Sequence, residues 1–455
     1  MGVLDGLKPE SVFHFFEEIS RIPHGSGNEK QISDYLKKFA QDRGLKCIQD
    51  ELYNVIIIKE ASPGYEAEEP YILQGHMDMV AVKDADCDID MTKDPLRLCI
   101  KDGRVCAKGT TLGGDDGIAV AYILALLDAK DISHPRLEMV ITTEEETGLT
   151  GAGGIDLSML RGRQLINLDN EEEGVIITSC AGGARVDVRI PVQRERVPEQ
   201  GIQILEVKVN GLLGGHSGGE IHKGRGNANC LLGHIVNELT KQSDIRITAM
   251  HGGQADNAIP CAAGAVLVVS EEEKEKVLAC IGREEARIKK QLQDTDPDFY
   301  IECEEQAVSA GNGLIEQCLT AVSAKQALSC LLELPNGVTA MSRDVEGLVQ
   351  TSLNLGIMKL EEQELHLTYA VRSSIDQEKE ELCQRLQEIA GQSGAAAVVK
   401  SAYPGWAYRK DSPLRDKLSS VYERMYGRKP ELQAIHAGLE CGLLAAKIPG
   451  LDCVS

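Results

Sequence analysis

Aromatic side chains are scarce in this 455-residue chain. They make up 4%, with five Phe and a single Trp, Trp406. Leu, Ile, Val and Ala must therefore build the core. Basic residues are outnumbered too: 48 Lys and Arg against 71 Asp and Glu leave a formal net charge of −23. A field of that sign repels phosphate backbones and anionic lipid, which argues against a nucleic-acid-binding or membrane-surface protein. Long apolar runs are missing. The longest, Ile118 to Leu127, is far short of the roughly 20 residues that span a bilayer. The start, Met1 to Glu17, has no basic segment followed by a long apolar stretch, so it does not read as a secretory signal. Cysteine is plentiful, at 14, yet no two form a C-x-x-C pair. Scattered in this way, the thiols read as reduced and mostly buried in a cytoplasmic protein, not as a disulfide framework or a cysteine zinc cluster.

What is present is ordinary globular material, 42% hydrophobic and 26% charged. At roughly 100–200 residues per domain the length implies two to four domains. The first third alternates helical and strand patterns: helices at Ser11–Ile22 and Glu29–Arg43, strands at Tyr53–Ile58 and Tyr71–Leu73, a buried helix at Ile118–Leu127, then strands at Leu137–Thr142 and Leu165–Leu168. This order predicts an α/β sheet with helices on its faces. From about residue 185 the texture changes. Strands at Val186–Ile190 and Ile204–Val209 lead to helices at Asn227–Leu239 and Glu272–Gln293. A similar order recurs with a helix at Gly313–Leu332, strands near Val338, at Thr351–Leu355 and at Leu365–Val371, and a helix at Gln377–Ala390. The expected organisation is thus a first domain over 1–184, an inserted domain of two similar α+β halves over 185–402, and a return to the first domain over 403–455. That return would carry a helix at Pro413–Tyr426 and a strand at Leu432–Ile435.

Five segments share one form, in which metal-binding side chains follow an apolar strand or open a helix. They are Ile72-Leu73-Gln74-Gly75-His76-Met77-Asp78, Thr111-Leu112-Gly113-Gly114-Asp115-Asp116-Gly117, Thr142-Thr143-Glu144-Glu145-Glu146, Ile166-Asn167-Leu168-Asp169 and Ala434-Ile435-His436. In an open α/β sheet the carboxyl ends of the strands line one crevice, where residues distant in sequence converge. Imidazoles and carboxylates without thiolates suit zinc, manganese or similar metals. So many buried anions without cations would cost several kcal/mol each. Each segment alone has a plainer reading: a hydrogen-bonded loop histidine, a solvated acidic turn, a helix N-cap. The joint pattern favours metal.

These motifs resemble the aminoacyl-histidine dipeptidases, also called Xaa-His or cytosol non-specific dipeptidases, relatives of carnosinase and aminoacylase. Gly214-Gly215-His216-Ser217-Gly218-Gly219, Asn257-Ala258-Ile259-Pro260 and His436-Ala437-Gly438-Leu439-Glu440-Cys441-Gly442 look like further motifs of that family. The resemblance runs from the first helix to the end of the chain. It implies a zinc-exopeptidase catalytic domain with a mixed, largely parallel sheet, interrupted by an α+β lid domain. It also implies two zinc ions per chain, with manganese or cobalt as alternatives. His76 and Asp169 would hold one, Glu146 and His436 the other, and Asp115 would bridge. Asp78 would orient His76, and Glu145 would be the general base; spacing alone does not choose Glu145 over Glu144. His216 would steady the developing oxyanion, Asn257 would touch the substrate backbone, and Arg372 would grip the substrate's terminal carboxylate.

The expected activity is metal-dependent hydrolysis of dipeptides in the cytoplasm, with a small peptide as substrate and neither nucleic acid nor membrane as partner. A homodimer is left open, because a lid of two similar halves could supply His216 to its own active site. Two alternatives stand beside it: an N-acyl amino acid deacylase with the same metals, and a metal- or peptide-binding homologue that has lost catalysis. Gly215-His216-Ser217-Gly218-Gly219 also matches the G-x-S-x-G pattern of serine hydrolases. Here, however, six residues separate the strand ending at Val209 from His216, and a glycine-rich loop follows Ser217. Gly148–Gly154 lacks the Lys-Ser/Thr of a phosphate loop. Two departures from the family are visible. Asp116 stands where the family usually has Asn. The chain stops at Leu451-Asp452-Cys453-Val454-Ser455, where relatives continue with a His-Ser-Pro loop and a closing helix, so a truncated C-terminus is expected.

Overall fold

Two compact units emerge in the computed structural model, which describes residues 2–198, 200–306 and 317–455. The first comprises Met1–Cys180, Tyr408–Ala434 and Leu439–Ser455. Its six-stranded sheet has the order Lys46–Gln49, Val55–Lys59, Leu137–Thr142, Tyr71–His76, Gln164–Asn167 and Asp452–Val454. The first two joins are antiparallel and the other three parallel, which is the mixed, largely parallel α/β sheet expected. Leu137–Thr142 is buried at all six positions, as a strand covered on both faces must be. The helix Glu10–Ile19 turns Val12, Phe15, Phe16 and Ile19 inward at helical spacing. Together with Ile32 and Leu36 of the helix Lys30–Asp42 and Val120 and Leu124 of the helix Gly114–Asp128, they pack on Ile57 and Met139 of the sheet. Gly75 lets the last of these helices come close: a Cβ there would lie 2.5 Å from Asp116 Oδ2 and 2.7 Å from Ala119 Cβ.

The second unit comprises Ala181–Ala407 and Ile435–Gly438. Its sheet runs Tyr300–Gln306, Ile202–Asn210, Ala263–Ser270, Ile245–Gly252, Val349–Leu360, Glu364–Ser373, Gly182–Pro191 and Ala396–Tyr403, with Gly337–Met341 beside Val349–Leu360. Its pairings are antiparallel. The helices Ala228–Gln242, Lys274–Gln291, Ala321–Glu333 and Asp376–Gln392 contribute Leu232, Val277, Leu328 and Leu386 to its core. The strand read as opening the first of two consecutive halves lies instead between Glu364–Ser373 and Ala396–Tyr403. The two parts of the sheet meet where Ile245–Gly252 and Val349–Leu360 share only His251↔Lys359 and Gly252↔Met358. Beside this short join, Asn227 and Asn229 donate side-chain amides to the Leu355 carbonyl at 3.1 and 3.2 Å, satisfying a backbone acceptor the ladder leaves over.

The boundaries fall at 180/181 and 407/408, where 184/185 and 402/403 were expected, and His436 groups with the second unit instead of the returning segment. The start of the helix expected over Gly313–Leu332 lies outside the described residues; the helix observed there is Ala321–Glu333. No disulfide joins any two cysteines among the described residues. Among the described residues no helix is long and apolar enough to cross a membrane.

Candidate active site

Three adjacent parallel strands set up the site. Leu137–Thr142, Tyr71–His76 and Gln164–Asn167 lie side by side and point the same way, so Glu144–Glu146, His76 and Asp169 emerge from neighbouring carboxyl ends. His76 is buried, 1% exposed. Its Nε2 lies 3.0 Å from Asp115 Oδ1 and 3.6 Å from Asp169 Oδ1. Its Nδ1 lies 3.0 Å from the Asp78 carbonyl and 3.3 Å from Asp78 Oδ1. Asp78 does more than face the imidazole. Its carboxylate accepts the backbone N–H groups of Glu145 and Glu146 at 3.1 and 3.4 Å and the Ser26 hydroxyl at 2.8 Å, tying two strand ends together. The chain reverses at Glu144, which takes a left-handed φ of 50°, and the short helix Glu145–Gly148 follows. Asp115 and Asp116 have non-helical dihedrals at the start of Gly114–Asp128, which leaves the Asp115 carboxylate exposed toward His76.

The electrostatics are those of crowded anions around one imidazole. Burial works against charging His76, but hydrogen bonds to Asp115, Asp169 and Asp78 outweigh it and hold the imidazole well above its ordinary range. Hydrogen bonding to His76 keeps Asp115 low. Burial, with the neighbouring carboxylates adding to it, pushes up Glu146, Asp169 and Asp116. Burial, then the charges of Asp169, Glu440 and Glu146, pushes Glu145 up to about 8. A multivalent cation would remove this mutual cost. The donors fit one: the ligand atoms of His76, Asp115 and Glu146 all lie within 4.8 Å of one another, as do those of His76, Asp116 and Asp169. Imidazole nitrogen and carboxylate oxygen without thiolate suit zinc or manganese.

Both groupings belong to the first unit, and neither includes His436. The strand Glu431–Ile435 before it pairs with Val175–Cys180 as a separate ladder, outside the six-stranded sheet, so the shared-crevice argument does not extend to it. In the second unit His436 is buried, its Nε2 lies 2.7 Å from Ser352 Oγ, and its Nδ1 is buried with no hydrogen-bond partner. Burial, then Arg372, brings it down to about 3. His216, Arg372 and His436 meet around Gly218, where a Cβ would lie 2.5 Å from the His436 carbonyl, 3.0 Å from His216 Cε1 and 3.3 Å from Arg372 Cζ. The Gly219 N–H donates to His216 Nδ1 at 3.0 Å. Burial and then Arg372 lower the imidazole's proton affinity, so the neutral ring carries its hydrogen on Nε2. Arg372 is buried rather than at the surface; its Nη1 lies 3.4 Å from the Tyr403 hydroxyl and its Nε has no partner. Asn257 is exposed and accepts the Ser217 N–H on its carbonyl at 2.8 Å. Ser217 Oγ is buried without a partner, which removes the base a nucleophilic serine needs.

Three site features escaped the sequence reading. Asp116, weighed only as an extra charge beside Asp115, lies within one of the two groupings and its Oδ2 accepts the His76 N–H at 3.1 Å. Gln74 and Asn167, each two residues before a candidate ligand, are buried. Their signal was a polar residue inside an apolar strand. Glu440, fully buried, gave no signal beyond its place in a motif.

A parallel-centred α/β sheet with imidazole and carboxylates at its strand ends can hold a metal ion, and the protein's relatives make it a metallopeptidase, a hydrolase acting on peptide bonds. The chain belongs to peptidase family M20/M25/M40, whose model matches residues 72–454. It is 36% identical over 455 residues, all of this chain and 92% of the relative, to the cytosol non-specific dipeptidase of Escherichia coli (strain K12). Among solved structures it is similar to the aminoacylhistidine dipeptidase of Vibrio alginolyticus, with a TM-score of 0.91 and 37% identity over 99% of this chain and 91% of that one. Aminopeptidase PepT of Bacillus cereus, at a TM-score of 0.51 and 16% identity over 98% and 89% of the two chains, shares the fold.

Proposed function

We propose that the chain hydrolyses dipeptides in the cytoplasm with the help of two divalent cations, zinc foremost. His76 and Asp169 would hold one, Glu146 and His436 the other, with Asp115 shared and Asp116 able to join the first. Carrying this reading is the meeting of His76 with two sets of carboxylates at the ends of adjacent strands. When bound, such ions make water a stronger nucleophile near neutral pH and polarise a carbonyl.

The chain's own residues do the rest. Glu145, held beside the ligands by its N–H bond to Asp78, takes a proton from the attacking water and delivers it to the leaving amine. Asp78 fixes the tautomer of His76. His216, with its hydrogen on Nε2, is the donor suited to a developing oxyanion. Asn257 contacts the substrate backbone. Arg372 offers a buried Nε and a planar fork to the substrate's terminal carboxylate, which would select short peptides with a free carboxyl end.

Zinc-loaded protein is expected to turn over members of a dipeptide panel and to leave N-acetyl amino acids intact. Turnover of the acyl substrates alone would replace this reading with a deacylase, and zinc uptake without any turnover would leave a binding protein. Arg372→Lys is expected to raise KM for dipeptides by roughly 10–100-fold with little change in kcat, the magnitude of one hydrogen-bonded charge contact. The same substitution should have no such effect on a dipeptide amide, which lacks the carboxylate; an equal effect on both substrates would remove Arg372 from that role.

A further inference from the structure

Beneath the candidate ligands runs a buried chain of hydrogen bonds that crosses the three central strands. Glu440, first residue of the helix Glu440–Lys447, is fully buried. Its Oε2 accepts Gln74 Nε2–H at 2.5 Å and the Thr142 hydroxyl at 2.7 Å. The Gln74 carbonyl oxygen accepts Asn167 Nδ2–H at 2.6 Å. The Asn167 carbonyl oxygen in turn accepts the backbone N–H of Asp169 at 3.3 Å and the Ser455 hydroxyl at 2.6 Å. Gln74, Asn167 and Thr142 are each at most 2% exposed.

The direction of this relay is fixed at both ends: the Asp169 N–H can only donate, and Glu440 Oε2 accepts from two donors. A primary amide offers either its oxygen or its NH2 group and could be turned around, whereas an ionised carboxylate only accepts. Glu440 Oε2, which accepts from both Gln74 and Thr142, faces the NH2 of Gln74. That turns the Gln74 oxygen to the NH2 of Asn167, and leaves the Asn167 oxygen for the N–H of Asp169. Each link polarises the next. Gln74 stands two residues before His76, and Thr142 ends the strand that leads to Glu145 and Glu146.

We propose that Glu440 is a positioning residue for the metal centre: it anchors the accepting end of the Gln74–Asn167 relay and thereby holds the Asp169 and His76 ends in register for a cation. This rests on the metal reading of the site given above. The inference is separable from general packing because Glu440→Gln keeps the volume but replaces one of the two carboxylate oxygens, of which Oε1 has no partner, with an NH2 group that can only donate.

Zinc affinity, measured by competition with a chromophoric chelator, tests it alongside the thermal midpoint of unfolding. Wild-type protein is titrated first. Glu440→Gln is expected to weaken zinc binding roughly 10–100-fold, the range for partners that orient metal ligands. Gln74→Leu should give a comparable loss, and the double variant should lose no more than the weaker single variant, because the two act along one path. Affinity unchanged in Glu440→Gln, or losses that add in the double variant, overturns the proposal. Should Glu440→Gln fail to fold, Asn167→Ala cuts the relay at its far end, and wild-type affinity there overturns it equally. No zinc uptake by wild-type protein would instead bring down the metal reading, and this inference with it.

Discussion

Glu145→Gln is expected to lower dipeptide turnover by about 10²–10⁴-fold, the usual contribution of a positioned acid–base group, while zinc content stays at the wild-type level. In the proposed reading Glu145 is the carboxylate that transfers the proton. Its backbone is anchored on Asp78, it lies next to Glu146 but in neither candidate ligand grouping, and burial followed by its acidic neighbours raises its proton affinity to about 8. A carboxylate beside the candidate ligands but outside both groupings is placed to take a proton and pass it on. Glutamine keeps the shape and the anchor and removes the titrating oxygen. The measurement pairs kcat on the best dipeptide with metal content by atomic absorption. A variant that loses both would make Glu145 a ligand, and one that loses neither would leave the general base to be found elsewhere.

The second large effect concerns the imidazole shared by both groupings. His76→Ala is expected to abolish zinc uptake and activity together, and chelation of the wild-type protein should do the same reversibly. Binding to the folded state also stabilises it by mass action, about 2.7 kcal/mol at a metal concentration 100 times Kd. In a unit of this size that amounts to several degrees in the unfolding midpoint. Calorimetry with and without EDTA, on wild type and variant, gives the comparison. The wild-type midpoint should fall with chelator, and the variant's should not move. A midpoint indifferent to EDTA in the wild type, with full activity retained, would leave the carboxylate cluster without a metal.

Much of this site could be read before any coordinates, for a physical reason. Tyr71–His76, Leu137–Thr142 and Gln164–Asn167 are apolar runs that end abruptly in acids or histidine, and a buried parallel strand advertises both its length and its carboxyl end. The helix Pro413–Tyr426 was equally legible, because Ser412 caps it, Pro413 opens it and Gly427 closes it in the left-handed conformation. Other elements hid. Ala396–Tyr403 is an edge strand with no inward face to mark its period, and Ala263–Ser270 opens on Ala-Gly-Ala, poor strand formers, before a short Val266–Val269 run without alternation. His436 shows a different limit. The run before it has the same local form as the others, and nothing local records which sheet a strand will join. The contacts made by Asp116 and Glu440 were hidden because a single acid has no period.

The short join at His251↔Lys359 and Gly252↔Met358 bears on mechanics. Two residue pairs resist bending far less than the eight that link Ile202–Asn210 to Ala263–Ser270. The broad antiparallel layer of the second unit is therefore two stiff panels with a crease between them. The amides of Asn227 and Asn229 act as stitches from the helix Ala228–Gln242 across to Leu355. The ladder is thinnest at the crease, and it is there that the stitches reinforce it.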